Sequence, residues 1–89
     1  MYAIMTVTGQ DHTGIIAAVT SALARQNINI LDVSQTLMDR WFTMILRVEF
    51  DEATRGIAAI QNEMAAVERE QCLTIRVQSE ALFSAVNEI

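Results

Sequence analysis

The period of the apolar residues changes along this 89-residue chain in the order two, 3.6, two, two, 3.6, two, and this order constrains the fold more than any other property. The cleanest run is Phe42, Met44, Leu46, Val48 and Phe50, which alternate with Thr43, Ile45, Arg47 and Glu49 and so predict a strand buried on one face. Before it, Asp39-Arg40 reads as a tight turn without glycine. The preceding run, Ile28 to Met38, mixes Ile30, Leu31, Val33 and Leu37 with Asp32, Ser34, Gln35 and Thr36, an imperfect alternation that admits a bulge. These two strands form a hairpin.

The hairpin is flanked by two similar units. Tyr2 to Thr8 predicts a first strand ending at Gly9, with Ala3, Met5 and Val7 on one face and Tyr2, Ile4 and Thr6 on the other. Gly14 to Gln26 follows, carrying Ile15, Ile16, Val19, Ala22 and Leu23 at helical spacing, with Asp11 or Thr13 as N-cap and Asn27 as a left-handed terminator. After the hairpin, Ala53 to Arg69 places Ile57, Ile60, Met64 and Val67 in helical register behind Asp51 as a cap. Cys72 to Gln78 alternates again, with Cys72 a strand residue. Glu80 to Ile89 sets Leu82, Phe83, Val86 and Ile89 at helical spacing, which predicts a short terminal helix capped by Ser79. The resulting βαββαβ order is the α+β, ferredoxin-like sandwich: a four-stranded antiparallel sheet with both main helices on one face, formed by residues 1–89 as a single domain. The other sheet face meets water or a partner.

Charge and composition exclude several functions. Net charge is −5, the six basic residues are all arginine and are scattered singly, and lysine is absent, a pattern opposed to nucleic-acid and anionic-membrane surfaces. One cysteine, Cys72, allows no internal disulfide and no thiolate metal site. No apolar run approaches ~18 residues and the N-terminus lacks a leader pattern, so the expected location is the cytoplasm.

Gly9-Gln10-Asp11-His12-Thr13-Gly14, between first strand and first helix, is the one segment arranged to hold a ligand. A strand-to-helix turn directs first-turn N–H groups into the gap, where the helix dipole favours a carboxylate. Asp11 serves equally as cap or as ligand contact. His12 is the only histidine, too few for a transition-metal site, and Ser21 and Ser34 lack the surrounding glycines of a nucleophile elbow. The loop also lacks the lysine of a Walker-type phosphate loop. Neither catalysis, a metal nor a cofactor is expected.

Asp11-His12-Thr13-Gly14-Ile15-Ile16-Ala17-Ala18-Val19, followed by Asn29-Ile30-Leu31-Asp32-Val33-Ser34-Gln35, resembles the ACT domain, the amino-acid-sensing module of many metabolic enzymes. The pattern is similar to stand-alone ACT proteins, the N-terminal ACT segment of formyltetrahydrofolate deformylases and the glycine-cleavage regulators. The resemblance implies a homodimer whose ligand, an amino acid or related small carboxylate, lies between this turn of one subunit and the start of strand two of another. Gly9, Gln10, Asp11, His12, Thr13, Gly14, Ile15, Asn29 and Ile30 are the implied ligand-binding residues, with Gly14 allowing a close approach that a Cβ would obstruct. Asn29 also fits plain strand-edge hydrogen bonding. Thr13 stands where many ligand-binding members carry proline. The alternative reading is a ligand-free interaction module that docks on a metabolic enzyme.

Overall fold

The computed structural model describes residues 1–82. The elements are β1 (Tyr2–Gln10), α1 (Ile15–Arg25), β2 (Asn29–Met38), β3 (Trp41–Glu49), α2 (Ile57–Gln71) and β4 (Leu73–Ser79). They form an antiparallel sheet of order β2-β3-β1-β4, the ferredoxin-like arrangement expected from the sequence. Because α1 leads from β1 to β2 and α2 from β3 to β4, both crossovers return over the same face.

Period explains the core. Ala3, Met5 and Val7 of β1, Phe42, Met44, Leu46 and Val48 of β3, and Leu73, Ile75 and Val77 of β4 all face the helices and are buried. Above them lie Ile15, Val19, Ala22 and Leu23 of α1 and Ile60, Met64 and Val67 of α2, each set on one helical stripe. The opposite face keeps Thr8, Thr43, Thr74 and Arg76 in solvent. On that face Arg47 forks onto Glu80, with Nε donating to Oε1 at 2.6 Å and Nη2 to Oε2 at 3.2 Å, and lies over the Tyr2 ring at 4.6 Å.

The irregular positions have local causes. The bulge falls between Ile30 and Asp32, so Leu31 has no cross-strand partner. Asn27 and Asp39 adopt φ of 60° and 56°, the left-handed region that short polar side chains tolerate, and each reverses the chain without glycine. Two expectations need correction. Helix α2 starts at Ile57 rather than Ala53, because Asp51 caps a separate turn: its Oδ1 accepts from Ala53 N–H at 3.0 Å and its Oδ2 from the Thr54 hydroxyl at 3.2 Å. Gly56, extended at φ −97° and ψ 172°, then separates that turn from the helix. Cys72 is not a strand residue but the exposed left-handed C-cap of α2, at φ 55°. Gln26, an interior polar side chain, donates to the Ala22 carbonyl at 3.1 Å and to Met64 Sδ at 3.5 Å, while its Oε1 is buried without a partner among the described residues.

At the C-terminal end, Ser79 Oγ accepts from Leu82 N–H at 3.1 Å, which is the N-cap expected there. Phe83, Val86 and Ile89 lie outside the described residues.

Candidate functional site

The β1–α1 loop is fastened on three sides. β1 runs past Thr8 to Gln10, setting Gly9 opposite Phe42 of β3 and opposite Leu73 of β4. Glycine is required at position 9 by packing: a Cβ there would lie 2.8 Å from Leu73 Cδ2 and 3.1 Å from the Cys72 carbonyl oxygen. Asp11 N–H donates to the Arg40 carbonyl at 2.6 Å, tying the loop to the β2–β3 turn. His12 reaches the other way, with Nε2 2.8 Å from the Gln71 carbonyl oxygen and Nδ1 3.0 Å from that of Thr13.

Gly14 turns the chain into α1 at φ 95° and ψ −1°. Within the protomer nothing crowds this glycine, since a Cβ would meet no atom within 4 Å, so strand two makes no close approach to it here. Its left-handed backbone is what calls for glycine. The expected N-caps are also absent. Neither Asp11 nor Thr13 accepts from an N–H of the first turn, and among the described residues no other side chain caps it. Ala18 N–H closes the first helical bond, to the Gly14 carbonyl at 3.0 Å. The N–H groups of Ile15, Ile16 and Ala17 therefore have no partner among the described residues, and the first turn itself carries no acidic residue.

Those three residues, together with Asp11, His12, Gly14 and Phe42, line an open cavity of about 230 Å³. Four of the residues expected from sequence thus come together: Asp11, His12, Gly14 and Ile15. Gly9 and Gln10 remain in β1, and exposed Thr13 supplies its carbonyl to His12. Asn29 and Ile30 are elsewhere in the protomer. Asn29 pairs with Glu49 at one end of β3, whereas the loop meets Phe42 and Trp41 at the other, roughly 25 Å away at the rise of an antiparallel strand. Ile30 is half-buried against the core.

Sequence reasoning missed Ile16, Ala17 and Phe42. A signal existed for Ile16: it lies off the stripe set by Ile15, Val19, Ala22 and Leu23, and here Ile15 is buried while Ile16 is 45% exposed at the cavity. Phe42 was legible as a core residue, but its place opposite Gly9 depends on strand register.

The loop sets the His12 imidazole beside the Asp11 carboxylate. Hydrogen bonding to the Gln71 carbonyl raises the His12 pKa above its ordinary 6.5, the Thr13 carbonyl adds to this, partial desolvation opposes it, and the Asp11 charge adds in the same direction. Both ring nitrogens face carbonyl oxygens, which leaves neither free for a metal. Among the described residues no three His, Cys, Asp or Glu side chains converge as a metal site. The cavity thus presents first-turn N–H donors together with one carboxylate, that of Asp11.

Residues 1–78 match the model of the ACT domain. The chain belongs to the ACT domain family. A UPF0237 protein of Corynebacterium efficiens is 70% identical over 89 residues, the full length of both chains. The solved structure of an ACT domain protein from Streptococcus pneumoniae superposes with a TM-score of 0.82 at 40% identity, covering 93% of each chain. A formyltetrahydrofolate deformylase from Pseudomonas putida shares the fold, with a TM-score of 0.79 at 12% identity over 89% of this ACT domain and 29% of that protein. The resemblance drawn from Asp11–Val19 and Asn29–Gln35 is therefore correct at the level of family and fold.

Proposed function

We propose that this ACT domain is a small-molecule-binding regulatory module that takes an amino acid or related small carboxylate at a homodimer interface. The observation that carries this reading is the uncapped N-terminus of α1 opening into the cavity beside Asp11. A ligand carboxylate accepts from the free N–H groups of Ile15, Ile16 and Ala17, and its ammonium pairs with the Asp11 carboxylate. At about 230 Å³ the cavity is smaller than the ~300–1,000 Å³ of most ligand pockets, which suits a molecule of a few heavy atoms. The cavity holds no activated nucleophile, so the chemistry is binding rather than turnover.

The second copy supplies the missing half. β2 is an edge strand whose Leu31, Val33, Leu37 and Met38 are exposed, an arrangement that favours pairing with another strand. Two-fold antiparallel pairing of β2 with its copy carries Asn29 of the second protomer to the Met38 end of the first. That end is where the hairpin turn holds the β1–α1 loop. Ligand binding then favours one dimer geometry over others through differential affinity, which is the regulatory output.

A thermal-shift panel of the twenty amino acids and simple carboxylates tests this. A selective rise in melting temperature that follows mass action is expected, and it is lost in Gly14→Val. No selective shift, or a monomer in sedimentation at micromolar protein, refutes the reading. The competing reading, docking on a metabolic enzyme without ligand, draws on exposed Tyr2, Met38, Trp41 and Ile45 on the sheet face opposite the helices. It requires that the panel give no shift.

A further inference from the structure

We propose that His12 is a positioning residue for this cavity: as an imidazolium it fastens the β1–α1 loop to the last turn of α2, so the shape of the loop follows pH. The description of the cavity as a ligand site rests on the function proposed above, whereas the fastening rests on geometry alone.

Two carbonyl oxygens, of Gln71 at 2.8 Å and Thr13 at 3.0 Å, face the two ring nitrogens. A carbonyl only accepts, so each nitrogen must carry a proton for both bonds to exist, and only the cation carries two. The Gln71 bond joins residues 59 apart in sequence and, among the described residues, is the one side-chain hydrogen bond that ties the loop to α2. In the neutral ring one nitrogen presents a lone pair to a carbonyl oxygen at hydrogen-bond distance, a repulsion relieved by turning the ring. One of the two ties is then lost.

The surroundings favour the cation. Gln71 ends α2, where the helix dipole is negative. The titratable or charged groups on the adjoining elements are Asp11 in the loop, Arg40 in the hairpin turn, Glu68, Arg69 and Glu70 in the last turn of α2, and Cys72 after it. Glu68 is already engaged by Ile75 N–H and Arg76. Asp11 acts with the two carbonyls to raise the His12 pKa. His12 thus leaves ligand contact to the α1 N–H groups and Asp11, and it fixes where those groups stand. Its charge and one of its two ties are lost together as pH rises, so the loop loosens and the cavity loses anion affinity in the same step.

Since His12 is the only histidine, ring ¹⁵N NMR of the intact protein gives one titration. The expected midpoint lies above 6.5, both N–H groups are present below it, and the amide resonances of Asp11, Gly14 and Cys72 move with that same midpoint. A Cys72→Ser variant removes the neighbouring thiol and should leave the profile in place. His12→Gln should abolish the amide shifts over this range; if it fails to fold, the wild-type and Cys72→Ser titrations decide alone. A midpoint at or below 6.5, or flat Gly14 and Cys72 amides, overturns the proposal. No ligand is added, so failure of amino acids to bind and failure of this proposal are separate results.

Discussion

Replacing Gly9 by alanine tests whether the loop is set by packing between β1 and β4. The added methyl would lie 2.8 Å from Leu73 Cδ2 and 3.1 Å from the Cys72 carbonyl oxygen, inside van der Waals contact on both sides. Leu73 is buried, so its side chain swings away only at the expense of core packing, and the Cys72 carbonyl belongs to the left-handed cap and moves only with the backbone. Overpacking of this kind costs about 1–3 kcal/mol. The lower entropy of an unfolded chain with alanine returns roughly 0.4–1 kcal/mol. The net loss is about 1–2 kcal/mol, which for a domain of this size lowers the melting temperature by roughly 5–15 °C. Urea denaturation of a double-mutant cycle with Leu73→Ala separates the two contacts. Removing Cδ2 should relieve about half the cost of Gly9→Ala, leaving the share due to the Cys72 carbonyl. A Gly9→Ala protein as stable as wild type, or strict additivity in the cycle, refutes the packing argument.

Further outcomes follow from other sites. Gly14→Ala should cost about 1–2 kcal/mol in urea denaturation for a different reason, the left-handed φ of 95°, and Gly14→Asn should cost less because asparagine tolerates that region. The hydrogen bond from Arg47, aided by its charge and opposed by partial desolvation, holds the Glu80 carboxyl below its ordinary 4.5. A depressed folded-state pKa stabilises the protein above the unfolded value, and that stability is lost as pH falls through the folded one. The melting temperature of wild type should therefore exceed that of Glu80→Gln at pH 7, and the gap should close as pH falls below 4.5. Gln26→Leu removes a buried unpaired oxygen at the loss of the hydrogen bond to Ala22 and the weaker one to Met64 Sδ, and should be neutral or stabilising by about 1 kcal/mol in thermal unfolding.

Element order was legible because burial imposes a period on each segment, and the two periods differ enough to separate strand from helix in this chain. The alternation from Phe42 to Phe50 marked β3, and the spacing of Ile60, Met64 and Val67 marked the body of α2. Helix starts were less legible. Asp51 carries the chemistry of a cap, but whether it caps a helix or a turn depends on Gly56 five residues later. The two loop glycines illustrate the same limit: sequence marks both as special, while only register shows that Gly9 answers to Leu73 and Gly14 to its own backbone. At the site, Asp11 and His12 were visible as polar residues in a turn. The partner of His12, a main-chain carbonyl at Gln71, carries no side-chain signature and could not be read from the sequence.

The central claim, that each binding site joins the loop of one protomer to Asn29 of another, is tested most directly by mixing two defective proteins. Gly14→Val damages the loop and Asn29→Ala damages the opposite half, so neither homodimer should bind the amino acid identified by the thermal-shift panel. After subunit exchange, a heterodimer carries one site with both defects and one with neither. Calorimetric titration of the exchanged mixture should recover binding at near wild-type affinity, with about one site per heterodimer. A mixture that remains silent, or an Asn29→Ala protein that binds alone as well as wild type, contradicts the account.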